Sequence, residues 1–193
     1  MGKSKELQLA IQAAKAAGNY LRKETAVQVD SAEGKDIKLS SDKKSEQIIM
    51  DILEESNLPI LSEEYGLKGK TGTEYWIVDP LDGTVNYYKG FREMACVSIA
   101  LWREDRPVLG VVYRFMVDEL FYGEEGYGAY LNDQPIHTAS VREVPKAVIA
   151  TGFPVNRTYG TESLMRFIRQ VQCFKKIRLL GGGSDYECLC SMW

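Results

Sequence analysis

Imidazole is almost missing from this chain: His137 is the one histidine among 193 residues. A Ser-His-Asp or Cys-His enzyme would have to run through that single side chain, which sits between Ile136 and Thr138 in a loop-like stretch. Cysteine is sparse as well. Cys96, Cys173, Cys188 and Cys190 form no C-x-x-C pair and have no clustered histidines, so the spacing of a structural zinc site is absent. Cys96 lies in an apolar strand-like run and Cys173 in a helical one, and both are expected to be buried, reduced thiols. No apolar run approaches the ~20 residues that cross a bilayer. The first residues open straight into an amphipathic pattern without a signal-peptide core. An excess of one charge is also lacking. Lys+Arg number 24 against 27 Asp+Glu, a net charge of −3, which gives no general pull toward nucleic acid or an anionic membrane. The expectation is a cytoplasmic protein with neither nucleic-acid nor membrane partners, in which carboxylates carry any chemistry.

What is present is enough for a core. Apolar residues make up 45% of the chain and charged residues 26%, and the length suits one domain, residues 1–193. Residues 5–23 place Leu7, Ile11, Ala14, Gly18 and Leu21 at helical spacing along one stripe. Residues 31–38 are polar around Gly34 and read as a loop. Ser41 or Asp42 is positioned to cap a second helix with Ile48, Ile49, Ile52 and Leu53 on its apolar face. Strands are expected at 58–61, 74–78, 95–102, 108–114, 119–122, 128–131, 148–151 and 176–180, with turns at 68–72, 103–107, 123–126 and 132–135. A last helix over 162–171 would turn Leu164, Phe167, Ile168 and Val171 inward. Helices first, then antiparallel strands, then alternating strand and helix point to α/β layers.

The informative segment runs from Trp76 to Asn86, Trp-Ile-Val-Asp-Pro-Leu-Asp-Gly-Thr-Val-Asn. An apolar strand delivers Asp79 at its end, Pro80 disfavours helix at Asp79, and Gly83 lets the chain turn sharply. Asp79 and Asp82 can converge across such a turn, with the Leu81 carbonyl between them. Hard divalent cations such as Mg²⁺ take oxygen ligands of this kind. Gly83 and Thr84 then offer backbone N–H groups to an anion and Thr84 adds a hydroxyl. These are the parts of a metal-assisted attack of water on a phosphate.

The same stretch resembles the signature of the inositol monophosphatase family, within the lithium-sensitive, Mg²⁺-dependent phosphatases that include bisphosphate nucleotidases and fructose-1,6-bisphosphatases. The family pattern is an apolar strand entering Asp-Pro-(Leu/Ile)-Asp-Gly-Thr, preceded by a Glu-Glu pair, and here Glu63-Glu64 stands sixteen residues before Asp79. The resemblance implies that Glu63 is a metal ligand that also positions the attacking water. It implies that Asp79 bridges two metals, that Asp82 and the Leu81 carbonyl complete the sites, and that Thr84 orients the nucleophile. Asp42 matches the upstream acid that pairs with that threonine. Residues 97–101, 110–113, 126–132 and 150–154 look like family strands and turns in the family's order. The implied fold is the layered α+β sandwich of inositol monophosphatase and fructose-1,6-bisphosphatase. Lithium sensitivity and a homodimer come with it.

The resemblance thins after Leu180. The family's Trp-Asp motif and its Gly-Ser/Thr-Ala-Ala helix start are not found, and residues 181–193 fit the pattern poorly. Read one nucleotide later with permissible codons, residues 183–193 can spell Ala-Ala-Thr-Met-Ser-Val-Tyr-Val-Ala-Cys-Gly, so a frameshifted, aberrant tail on an incomplete domain is expected. The leading expectation is a phosphomonoesterase acting on a small phosphorylated metabolite. The segment Val85-Asn-Tyr-Tyr resembles the inositol phosphatase pattern more than that of a 3′(2′),5′-bisphosphate nucleotidase, which stays as an alternative beside sugar phosphatases. A catalytically impaired fragment acting only in binding is the competitor from another class.

Overall fold

A computed structural model describes residues 2–33, 36–70, 72–153 and 159–179. Helix α1 spans Lys5–Lys23, and the Ser4 hydroxyl caps it by accepting the Leu7 N–H at 3.0 Å. Its buried stripe is mostly alanine (Ala10, Ala13, Ala14, Ala17), with Leu7 and Leu21 at the ends. Small side chains let the helix approach the sheet closely. At Gly18 a Cβ would come within 2.5 Å of the Tyr113 ring. Residues 31–33 and 36–38, expected as part of a loop, instead lie in the antiparallel strands β1 (Val29–Glu33) and β2 (Asp36–Leu39). Two strands that pair with each other satisfy their own backbone groups, so polar composition did not prevent strand formation.

Helix α2 spans Ser40–Leu53 with Leu39 at its N-cap, two residues ahead of Ser41 and three ahead of Asp42, the expected caps. Asp42 therefore lies inside the first turn, where its Oδ2 reaches back to accept the Leu39 N–H at 2.7 Å. Strands β3 (Ile60–Ser62), β4 (Gly66–Lys68), β5 (Glu74–Asp82), β6 (Cys96–Arg103), β7 (Arg106–Arg114), β8 (Glu119–Glu124), β9 (Gly128–Leu131) and β10 (Gln134–Ile136) follow, with the short helix α3 (Thr84–Tyr88) between β5 and β6. These eight strands form one sheet in the order β10-β9-β8-β7-β6-β5-β3-β4. Neighbours run antiparallel except β3 and β5, which are parallel.

Helices α1 and α2 pack on each other, α1 over β6 and β7 and α2 over β5. Alternation along the strands explains the burial. Trp76 and Val78 of β5, and Val97, Ile99 and Leu101 of β6, are buried, while the residues between them are half-buried. Burying each such side chain contributes roughly 1.5–3 kcal/mol. Among the described residues no helix is long and apolar enough to cross a membrane.

The last described elements are β11 (Val148–Thr151), α4 (Thr161–Val171) and β12 (Lys176–Leu179), with β11 and β12 paired in parallel. The inward face expected of α4 is not covered. Only Val171 is buried, Phe167 is half-buried with the Phe153 ring 4.9 Å from its own, and Leu164 and Ile168 are exposed. Cys173 is likewise exposed rather than buried, lying just past the helix end, whereas Cys96 is fully buried. Cys188, Cys190 and the expected aberrant tail, residues 181–193, lie outside the described residues.

Candidate active site

Parallel pairing of β3 with β5 puts the C-terminal ends of both strands at the same edge. Ser62 is in register with Val78, so the next residues, Glu63 and Asp79, emerge side by side, and the Glu63 N–H donates to the Val78 carbonyl at 3.3 Å. Strand β5 does not stop at Asp79. It runs on through Pro80 and Leu81, slips register against β6, and pairs again with Asp82 opposite Cys96. This irregularity spaces the two aspartates along a kinked strand rather than across a free turn. Asp79 Oδ1 accepts the Leu81 N–H at 3.2 Å, and the buried Cys96 thiol donates to Asp82 Oδ2 at 3.9 Å.

The chain then turns at Gly83, whose φ of +85° lies in the left-handed region. A Cβ there would also stand 2.6 Å from the Met94 carbonyl oxygen, so this glycine is required twice over. Thr84 opens α3, a helix of five residues, and its hydroxyl donates to the Leu81 carbonyl at 2.9 Å. That carbonyl keeps its second lone pair. The pairing of Thr84 with Asp42 implied by the resemblance is not what the structure shows. Thr84 takes the acceptor three residues back. Asp42 is tied to Leu39 through one oxygen, while its other oxygen, Oδ1, is buried with no hydrogen-bond partner among the described residues.

Negative charge accumulates here. The Asp79 carboxyl is pushed far above the usual carboxylate range, first by burial and then by the charges of Glu63 and Asp82, and it hydrogen-bonds the Glu63 carboxyl. Burial raises Asp42 to about 7, and Glu64 and Glu63 push the same way, outweighing the Leu39 N–H and Lys38. Lys38 is the nearby counter-charge, its Nζ 2.9 Å from Glu64 Oε2. The structure thus brings Glu63, Asp79 and Asp82 into one electrostatic cluster, with Asp42 facing the same glutamates. Among the described residues it does not bring three His, Cys, Asp or Glu side chains into a ready ligating group. In donor chemistry the residues fit a hard divalent cation: three carboxylates and a carbonyl, all oxygen, with a mutual repulsion that a cation relieves.

Three residues escaped the reading of the sequence. Ser45 and Glu46 of α2 and Ser62 of β3 are fully or almost fully buried, and each hydrogen-bonds within the acid-bearing segments. Their signal was there to find. Ser45 and Glu46 share a helical stripe with Ile49, Met50 and Leu53, and polar side chains on a core-facing stripe need partners.

The chain is similar over residues 3–191 to the inositol monophosphatase family. It is 38% identical over 170 residues to the Nus factor SuhB of Vibrio cholerae, an alignment covering 84% of this chain and 63% of that protein. It is 41% identical over 160 residues to inositol monophosphatase 3 of Solanum lycopersicum, covering 78% and 59%. The crystal structure of extragenic suppressor protein suhB from Bartonella henselae superposes with a TM-score of 0.86 at 31% identity, over 97% of this chain and 74% of that one. This chain therefore spans about three fifths of the length of the curated relatives it matches. By its strand order, its acid-bearing turns and these likenesses, the chain belongs to the inositol monophosphatase family.

Proposed function

We propose that this chain is the cation-binding part of a Mg²⁺-dependent phosphomonoesterase of the inositol monophosphatase type, acting on a small phosphorylated metabolite. One observation carries the reading: two parallel strand ends and a kink in β5 gather Glu63, Asp79 and Asp82, and burial with mutual repulsion leaves Asp79 in need of a positive charge. Glu63, Asp79, Asp82 and the Leu81 carbonyl would hold the metal. A divalent cation bound there supplies Lewis acidity, lowering the pKa of water and offsetting phosphate charge. Glu63 and Thr84 orient the attacking water, and Asp42 sets the local charge behind them. The N–H groups of Gly83 and Thr84, which lack intrahelical acceptors, bind phosphate oxygens. Lithium sensitivity and a homodimer belong to the same proposal and rest on family membership alone, and a cytoplasmic location joins them from the reading of the sequence.

A second reading comes from the names of relatives. Several are called Nus factor SuhB, which supports a factor role beside or in place of hydrolysis, and the absence of nucleic-acid partners read from charge balance gains nothing from them. Phosphate release from inositol-1-phosphate, glycerol-2-phosphate and adenosine 3′,5′-bisphosphate tests the first reading. Release that needs Mg²⁺ and disappears in Asp79→Asn is expected, with inositol-1-phosphate ahead of the bisphosphate. Release that is indifferent to Mg²⁺ or to Asp79→Asn would overturn it, and Mg²⁺ binding without any release would favour the factor role.

A further inference from the structure

Glu46 is a carboxylate with no solvent exposure, on the core-facing stripe of α2. Its Oε1 accepts from three donors, all on the segment that carries the Glu-Glu pair: the Ser62 hydroxyl, the Glu64 N–H at 3.3 Å and the Tyr65 N–H at 3.1 Å. Its Oε2 is buried with no hydrogen-bond partner among the described residues. Burying a charge this way is costly, and a core-facing leucine would pack the same stripe without that cost. The gain lies in geometry. Three donors converging on one oxygen fix the path of the chain on both sides of Glu63, whose own side chain is exposed. The neighbouring helix residue does the equivalent for the other acid-bearing segment: the buried Ser45 hydroxyl donates to the Pro80 carbonyl at 2.7 Å, between Asp79 and Asp82. Adjacent residues of α2 thus hold both segments at once.

We propose that Glu46 is a positioning residue that holds the Glu63 segment opposite Asp79, so that cation affinity depends on a carboxylate that never touches the cation. The inference rests on the reading of Glu63, Asp79 and Asp82 as cation ligands and adds the element that sets their separation. Partners that orient ligands typically control affinity by about 10- to 100-fold.

The test is calorimetric titration of the whole chain with Mg²⁺ alone, with thermal melting run beside it. Glu46→Ala is expected to weaken Mg²⁺ binding at least about tenfold. Glu46→Gln keeps an acceptor oxygen for all three donors and is expected to recover binding to within about threefold of the parent. Leu53→Val, further along the same helix, lowers the melting temperature without moving the affinity, which separates positioning from loss of stability. Should Glu46→Ala fail to fold, Ser62→Ala removes one of the three donors and is expected to weaken binding in the same direction. Unchanged affinity in Glu46→Ala or Ser62→Ala, or equal loss in Leu53→Val, overturns the positioning role while leaving the ligand assignment intact. A parent chain that does not bind Mg²⁺ removes both.

Discussion

Gly83→Ala perturbs the turn between Asp82 and Thr84 and the backbone at Met94 and Ala95 that it faces. Two costs add. A side chain at φ +85° costs roughly 1–2 kcal/mol, the penalty of left-handed backbone for an L-residue. The new Cβ also falls 2.6 Å from the Met94 carbonyl oxygen and 3.3 Å from Ala95 Cα. Both are backbone atoms at the entry to β6, so the strand must shift, and overpacking of this kind costs roughly 1–3 kcal/mol. A sum of about 3 kcal/mol corresponds to a drop of about 6–12 °C in melting temperature for a chain of this size. Gly126→Ala is the matched control, because its φ is +77° but no atom lies within 4 Å of the added carbon. It should lose only the backbone penalty, about 1 kcal/mol or about 2–4 °C. Urea unfolding and thermal melting without divalent cations measure both variants. Equal losses in the two would show that the close approach to Met94 is not a constraint, and the account of this turn would be wrong.

At Asp42 the metal-free protein should lose stability as the pH rises from the ordinary carboxylate range to about 7. Burial holds its folded carboxyl at about 7, above the unfolded value, so the folded state binds the proton more tightly. That contribution is complete below the unfolded pKa and gone above the folded one. The stability gained by Asp42→Asn should therefore grow between pH 5 and pH 8, on the order of 2 kcal/mol by urea unfolding; a constant gain would contradict the charged, unpartnered oxygen. On α4, Ile168 is 49% exposed, so Ile168→Glu should change stability by no more than about 0.5 kcal/mol. Leu53→Ala, at a fully buried position, should cost about 2–5 kcal/mol in the same urea series. Comparable costs would mean that the α4 face is covered.

The sequence-to-structure path was clear where one periodicity dominates. The stripe of Leu7, Ile11, Ala14, Gly18 and Leu21 marks α1 over residues 5–23, and the apolar run at Trp76-Ile77-Val78 marks β5. The acid-bearing turn was legible because Pro80 and Gly83 restrict the backbone in opposite ways. What was hidden depends on pairing across distance. Residues 31–38 look like a loop until β1 and β2 satisfy each other, and β5 was expected to end at Val78 because a register slip leaves no mark in composition. The site shows the same division. Asp79 and Asp82 could be named from the turn and Glu63 from the family resemblance, yet the closeness of Glu63 to Asp79 comes from the parallel pairing of β3 and β5, which no local pattern encodes. The link from Asp42 to Thr84 failed because each found a nearer partner in its own segment, Leu39 and Leu81. On α4 the apolar stripe was read correctly as a stripe. Its burial was not, since that depends on what packs against it.

The central claim is that Glu63, Asp79 and Asp82 form one acidic cluster whose repulsion a divalent cation relieves. Melting the protein with and without Mg²⁺, for the parent and for Asp79→Asn, tests it most directly. Without cation, Asp79→Asn should melt higher than the parent, because it removes a buried, repelled charge. With Mg²⁺ at ten times its dissociation constant the parent should gain about 1.4 kcal/mol, and Asp79→Asn should gain little. A parent unmoved by Mg²⁺, or an Asp79→Asn variant that melts lower without cation and responds to Mg²⁺ as the parent does, would contradict the claim.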